Sequence, residues 1–358
     1  MSGSPPIFSC GRESVPERGL PQTATTANSS TARVVVFSLL LVLAQTISIA
    51  EAQRSLSPEV ETFIGEMVQK HQFDPAVLRK LLARAQPQPS IVRAISAPST
   101  ARPWHEFRSR NVDPARIRGG VAFWREHQAM LASASREYGV PEEIIVATLG
   151  IETLYGRNTG KFRVLDALTT LAFNYPPRAE LFRSELEAYL LLVREAAFDP
   201  GKTRGSYAGA IGIPQFLPSS YRRYAVDFDG DGKRDLGSVA DAVGSVANYY
   251  RAHGWHSGGT VIVPVEEGGG EADALVELGI RPQLKVAELK LRGVRPAAPV
   301  EEGALAALIA AETESGRRYW LGLNNFYVIT RYNRSVNYAL AVHELAAELR
   351  AAMVRAGS

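Results

Sequence analysis

Cysteine is nearly absent from this chain: Cys10 is the single one in 358 residues. One thiol excludes an intramolecular disulfide framework and a cysteine-rich zinc site. An excess of either charge is also missing, since 40 Lys and Arg stand against 37 Asp and Glu, a formal +3. That balance gives no electrostatic reason to expect nucleic acid as a partner. No internal repeat is visible, and only residues 34–50 form a long apolar run. The remainder, 46% apolar and 22% charged, has the composition of a folded protein. Its length suits two or three domains.

The apolar run VVVFSLLLVLAQTISIA follows Arg33 and leads to Ala50-Glu51-Ala52, a small-x-small cleavage pattern. We expect residues 1–52 to be a signal peptide removed after Ala52, with a mature chain starting at Gln53. A retained membrane anchor is the alternative, because the run reaches the lower limit for spanning. No cysteine follows it, so a lipid anchor on a mature N-terminal cysteine is not expected.

Beyond Gln53 the pattern is mainly helical, an α+β chain. Ser57-Pro58, Asp74-Pro75 and Asp113-Pro114 each pair a capping residue with a proline at the first helical position. The stretch opened at Asp113 is expected to run as one helix to about Tyr138. Residues 86–103 contain Pro87, Pro89, Pro98 and Pro103 and read as a linker or extended loop. Pro141 opens the most apolar helix, PEEIIVATLGIETLYG, ending at Gly156, and further helices are expected at 164–173, 178–197, 239–253 and 337–353. Between them the texture changes. TVIVPV, LKVAELKL and YWLGLNNFYVIT (319–330) read as strands of a small β-rich insertion near 260–330.

Glu152 stands out because Ile144, Ile145, Val146, Ala147, Leu149 and Ile151 surround it in a helix apolar almost all round. Burial raises a carboxyl pKa, and an acid still protonated near neutrality can protonate a leaving-group oxygen. From composition alone a buried glutamate is more simply an ion-pair partner, here of Arg157 or Arg163. Glycosidases usually need a second carboxylate. Asp166, Glu180, Glu185 and Glu187 lie nearby in sequence, but Asp166 reads as a helix-terminal residue, and Glu185 and Glu187 as solvated ones. No second acid stands out, which hints that the substrate supplies its own nucleophile. GSYAGAIGIPQF (205–216) gathers Gly205, Gly209 and Gly212, which let backbone approach a ligand or another element closely. Without a terminal Lys-Ser/Thr it is not a phosphate loop.

These segments resemble the lytic murein transglycosylase B family. The matching text is GIETLYGRNTGKFRVLDALTTLAFNYPPRAELF (150–182), GSYAGAIGIPQFLPSSYRRYAVDFDGDGKRDL (205–236), DAVGSVANYYRAHGW (241–255) and FYVITRYNRSVNYALAV (326–342). The resemblance covers most of the chain from Trp104 onward. It implies a lysozyme-like catalytic core with a helical domain and a small β-rich domain. On that basis we expect an N-terminal helical region at 53–140, the core at 141–258, the β-rich domain at 259–330, and a C-terminal segment, 331–358, returning to the helical region.

The activity implied is cleavage of the MurNAc–GlcNAc β-1,4 bond of peptidoglycan without water, leaving 1,6-anhydro-MurNAc ends. Glu152 then serves as acid and afterwards as base, with no catalytic cofactor. Ser206 and Gln215 match residues that line the cleft, Tyr249, Tyr332, Asn333 and Tyr338 match contacts to the glycan, and Arg178 matches one of two adjacent arginines. Pro177 and Phe107 depart from the family pattern, at positions for binding rather than chemistry. The partner implied is the glycan strand, with cell-wall synthesis or remodelling proteins as further candidates. We expect a periplasmic monomer that binds no nucleic acid. A hydrolytic muramidase, or a catalytically silent glycan-binding scaffold, are the competing readings.

Asp227, Asp229, Asp231 and Asp235 occupy positions 1, 3, 5 and 9 of an EF-hand-like loop, with Gly232 at 6 and the Lys233 carbonyl at 7. Position 12 is Ser238, so the usual bidentate closure is missing and Asp241 is the expected closing ligand. A structural Ca2+, or Na+, is expected there rather than a catalytic metal.

Overall fold

Proline placed after a serine or aspartate starts the first helices of the computed structural model, which describes residues 56–96, 102–196 and 199–357. Ser57-Pro58 opens α1 (Pro58–His71) and Asp74-Pro75 opens α2 (Pro75–Leu82). After α3 (Pro89–Ser96) and α4 (Trp104–Asn111), Asp113-Pro114 opens α5 (Pro114–Glu126). Asp74 and Asp113 accept hydrogen bonds from the N–H groups of Ala76 and Val77, and of Ala115 and Arg116, which would otherwise lack partners. Ser57 takes the same position without a side-chain cap bond. The stretch 86–103 is not wholly a linker: α3 forms within it because Ile91 finds a buried seat.

A break at His127 divides the helix expected from Asp113 to Tyr138 into α5 and α6 (Gln128–Tyr138), with no proline or glycine to mark it. Then comes α7 (Glu142–Thr153), in which Glu143 to Gly150 are all buried. A short ribbon pairs β1 (Phe162–Arg163), which leads into α8 (Val164–Asn174) and α9 (Ala179–Ala196), with β2 (Arg204–Gly205). α10 (Pro218–Tyr224) and α11 (Val239–Ala252) complete this part.

The β-rich part holds β3 (Ile262–Glu267), α12 (Ala272–Glu277), β4 (Leu284–Lys285), α13 (Val286–Leu291), β5 (Arg295–Pro296), β6 (Leu305–Thr313) and β7 (Gly316–Gly322). The strands form an antiparallel sheet in the order β4-β6-β7-β3-β5. Two expected strands are largely helical. LKVAELKL keeps only Leu284–Lys285 in the sheet, because Val286 and Leu289, three apart, bury together as one face of α13. YWLGLNNFYVIT ends its strand at Gly322 and becomes α14 (Asn324–Tyr332), where Phe326, Ile329 and Thr330 bury with helical spacing. α15 (Val336–Gly357) closes the chain.

Two hydrophobic cores result. The larger gathers side chains from α1 to α11 with α14 and α15, and the smaller is built on Val263, Val286, Leu308 and Leu321 of the β-rich part. α15 packs along α7. That packing positions the site. Among the described residues no helix is long and apolar enough to cross a membrane, and the expected signal peptide, residues 1–52, lies outside the described residues.

Candidate active site

Glu152 sits one residue before the end of α7, and the chain leaves the helix abruptly. Leu154, Tyr155 and Gly156 all have positive φ, at 53°, 62° and 87°. Two non-glycine residues in the left-handed region cost on the order of 1 kcal/mol or more each. Local bonds hold the turn in place. Thr153 Oγ1 accepts from Gly156 N at 3.0 Å and donates to Ile213 O at 2.8 Å, and the Tyr155 hydroxyl donates to Arg116 O at 2.9 Å. The Tyr155 ring fills a slot that glycine makes: a Cβ added to Gly150 would lie 2.6 Å from its hydroxyl oxygen. Helix α7 therefore ends at Thr153, short of the expected Gly156.

Neither Arg157 nor Arg163 pairs with Glu152. Arg163 is committed to Asp166 at 2.7 Å, and Asp166 also accepts from Gln86 N. The partner of Glu152 is Tyr338 of α15, whose hydroxyl donates to Oε1 at 2.6 Å. Glu152 as a residue is only partly buried. Its carboxyl, however, is enclosed enough that desolvation lifts its pKa to about 7, against the lowering effect of the Tyr338 bond. Burial holds the Tyr338 and Tyr332 phenols well above 10, and the Glu152 charge adds to it, so both remain donors.

Aromatic rings wall the carboxyl. Tyr332 and Tyr338 stack at 6.3 Å with 13° between planes, and Tyr332 meets Tyr249, Tyr250 and Phe216 at 4.8, 5.7 and 5.7 Å. Their hydroxyls are anchored: Tyr332 donates to Pro214 O, and Tyr249 to Arg331 O at 2.6 Å. Thr148 gives its proton to Ile144 O and receives that of Tyr250. Tyr249 is thus a buried support of this wall. Phe216, Tyr250, Thr148, Thr153 and Tyr155 are residues that the sequence reading did not single out. Tyr155 was within reach of it, lying three residues after Glu152 in the quoted motif.

The glycine-rich segment supports the same place. The ribbon pairs Phe162 with Gly205, bringing Ser206 beside the chain that leaves α7. At Gly205 an added Cβ would stand 2.1 Å from Ala210 O, so the close approach here is to protein backbone. Ser206 Oγ accepts from Ala208 N and Ala210 N, which leaves its proton to donate elsewhere. Gln215 has φ 52° and spends Nε2 on Thr159 O and Gly212 O, which leaves Oε1 as its accepting atom.

Other expected residues stand apart. Asn333 is exposed just after α14. Arg178 is exposed, with its guanidinium 5.6 Å from the Phe182 ring. Pro177 is exposed beside it, and Phe107 is buried against Trp104, so neither departure touches the Glu152 group. Glu185 is not solvated as expected: it is buried and accepts from Ser219 N and Oγ at 2.9 and 2.6 Å. Glu187 is partly buried beside His71 and Lys70.

In the acidic loop, carboxylate oxygens of Asp227, Asp229 and Asp241 lie within 4.8 Å of one another. Oxygens about 2.3–2.6 Å from a shared Ca2+ would be separated by no more than about 5 Å, so this donor set fits a hard cation. Asp241 is buried, which raises its pKa, although Phe228 N and Asp235 N donate to it and lower it. Asp231 is not one of the clustered acids; its Oδ1 accepts from Lys233 N.

The model of the transglycosylase SLT domain family matches residues 55–347. The chain is 43% identical over 309 residues to membrane-bound lytic murein transglycosylase B of Escherichia coli, covering 84% of each. It belongs to the lytic murein transglycosylase B family. Among solved members, SltB1 of Pseudomonas aeruginosa superposes with a TM-score of 0.79 at 46% identity, over 83% of this chain and 99% of that one. Escherichia coli Slt35, solved with calcium, gives 0.75 at 42% identity, over 83% and 94%. SltB3 of Pseudomonas aeruginosa, solved with NAG-anhNAM-pentapeptide, gives 0.70 at 33%, over 81% and 78%. As a member of this family the chain is an enzyme acting on peptidoglycan, with the family's lysozyme-like fold.

Proposed function

We propose that the enzyme cleaves the MurNAc–GlcNAc β-1,4 bond by intramolecular transglycosylation with Glu152 as acid and then base. The observation that carries this reading is the single carboxyl group, lifted to about 7 and bonded to Tyr338, in an aromatic wall. Among the described residues, the other acids considered from the sequence are committed elsewhere or exposed. Protonated Glu152 gives its proton to the glycosidic oxygen as the C1–O bond breaks. The carboxylate left behind takes the proton from the C6 hydroxyl of the same MurNAc, O6 bonds to C1, and a 1,6-anhydro ring closes without water. The N-acetyl group of the sugar steadies the cationic centre, one of the substrate-assisted exceptions to two-carboxylate catalysis.

Ser206 and Gln215 then contribute a donor and an acceptor to the sugar substituents, and Asn333 and Arg178 extend the cleft. Tyr332 and Tyr338 form its aromatic wall, with Tyr249 supporting it from behind. Asp227, Asp229 and Asp241 would hold a Ca2+ that ties the loop 227–241 to α11 and takes no part in the chemistry, with Asp231 and the Lys233 carbonyl added only by their positions in the loop. Export to the periplasm with loss of residues 1–52 belongs to the same reading.

The test uses purified enzyme and its Glu152→Gln variant on murein sacculi, with mass spectrometry of the soluble products. Wild type should release muropeptides lacking one water and the variant should release essentially none. Equal release by both would remove Glu152 from the mechanism.

A further inference from the structure

A second cavity, of about 890 Å³, lies where the β-rich part meets the start of α14. Its size is that of a ligand site rather than a packing defect. Its floor is fixed by Asn325, which is buried, accepts from His256 N at 2.8 Å, and donates to His256 O and Gly259 O at 2.8 and 2.9 Å. Asn324 Nδ2 adds a bond to Gly254 O at 2.7 Å. The cavity is therefore preformed, its polar floor satisfied by the protein itself.

Its rim carries opposite charges. Arg281 and Glu301 both line it, both are exposed, and among the described residues neither has an ion-pair partner. Elsewhere in the β-rich part some charged side chains are paired, Lys290 with Glu302, Arg292 with Glu271 and Arg317 with Asp273. Others, such as Lys285, Glu288 and Arg318, have no ion-pair partner among the described residues. What sets Arg281 and Glu301 apart is that both line this cavity. Tyr327 adds an aromatic face to the same cavity. A zwitterionic, extended ligand suits this set, with a carboxylate toward Arg281, an amine toward Glu301, and carbon chain along the apolar lining.

We propose that this cavity receives the peptide stem carried by the glycan, a role that rests on the peptidoglycan activity argued above. Tyr327 of the cavity and Tyr332 of the catalytic wall share α14, five residues apart, which is a rise of about 7.5 Å with about 140° of turn between their side chains. An extended pentapeptide spans about 17 Å, so a stem leaving a MurNAc bound at Glu152 is long enough to reach the cavity. Free carboxylates and a side-chain amine are also what distinguish the stem from the uncharged glycan.

The experiment compares two probes, glycan strands bearing pentapeptide stems and the same strands stripped by an amidase, with wild type, Arg281→Glu and Glu301→Lys. Both positions are exposed, so the variants fold. On stemmed strands each variant should raise KM by about fivefold to tenfold, the effect of one charge-assisted contact, with kcat little changed. On stripped strands all three proteins should match. Equal KM values on stemmed strands, or an equal loss on both probes, would overturn the stem site while leaving the catalytic reading intact. A wild type inert on both probes would overturn the catalytic reading, and the stem site with it.

Discussion

Tyr338 donates its hydroxyl proton to Glu152 across 186 residues of sequence, at 2.6 Å. The bond joins the last helix of the chain to the helix that carries the acid. It stabilises the ionised form of Glu152 and so opposes desolvation, which is the larger effect. The carboxyl is left poised to give a proton and take one back near neutrality.

Removing that donor should have a signed effect. In Tyr338→Phe the lowering contribution is gone, so the Glu152 pKa rises above its wild-type value. The pH-rate profile should move upward, and the rate at its optimum should fall by about tenfold or more, because the carboxylate formed as the proton leaves loses a charge-assisted bond of about 1.5–3 kcal/mol. Initial rates of muropeptide release across pH 5–9 check this. A profile that stays in place would separate the hydroxyl from the tuning of Glu152.

Stability should carry the same signature. The folded-state pKa of Glu152 is raised from 4.5 to about 7, so the folded protein keeps a proton that the unfolded chain has lost. The stability contribution of protonated Glu152 is intact below pH 4.5 and falls as pH rises through about 7, by at most about 3 kcal/mol before solvent screening reduces it. Glu152→Gln does not ionise. It should therefore melt several degrees above wild type at pH 8 and close to it at pH 4, a comparison that calorimetry makes directly.

The turn after Glu152 makes a third prediction. Gly150→Ala brings a methyl group against the Tyr155 ring and should cost about 1–3 kcal/mol in denaturant unfolding. Tyr155→Phe keeps the ring, loses only the bond to Arg116 O, and should cost about 1 kcal/mol. A Gly150→Ala protein as stable as wild type would mean that the slot is not tight.

Calcium should raise the melting temperature without raising the rate at saturating substrate. At one hundred times Kd, binding to the folded state alone contributes about 2.7 kcal/mol. Asp229→Asn removes a clustered carboxylate at an exposed position and should abolish most of the calcium shift while leaving activity intact. Thermal melts with calcium and with a chelator measure both effects.

Much of this was legible in the sequence because short-range chemistry decides it. Asp74 and Asp113 announced helices through capping, and the apolar surroundings of Glu152 marked a buried carboxyl, while the choice between an ion pair and a raised acid came only with the family resemblance. The four quoted segments pointed to the family before any fold was known. What was not legible depended on distant partners. Short apolar runs such as LKVAELKL and NNFYVIT fit a strand or a helix equally until something packs against them. Glu185 reads as solvated until Ser219 arrives from another helix. Tyr338 could be placed among the glycan contacts by resemblance, but its bond to Glu152 exists only because α15 folds back along α7.

The measurement that bears most directly on the central claim is the fate of solvent oxygen. Sacculi digested by the enzyme in heavy-oxygen water should yield MurNAc ends with no label, because O6 of the sugar, activated by Glu152, closes the ring. Label at C1 of the released ends would show water as the nucleophile, and the enzyme would be a hydrolytic muramidase.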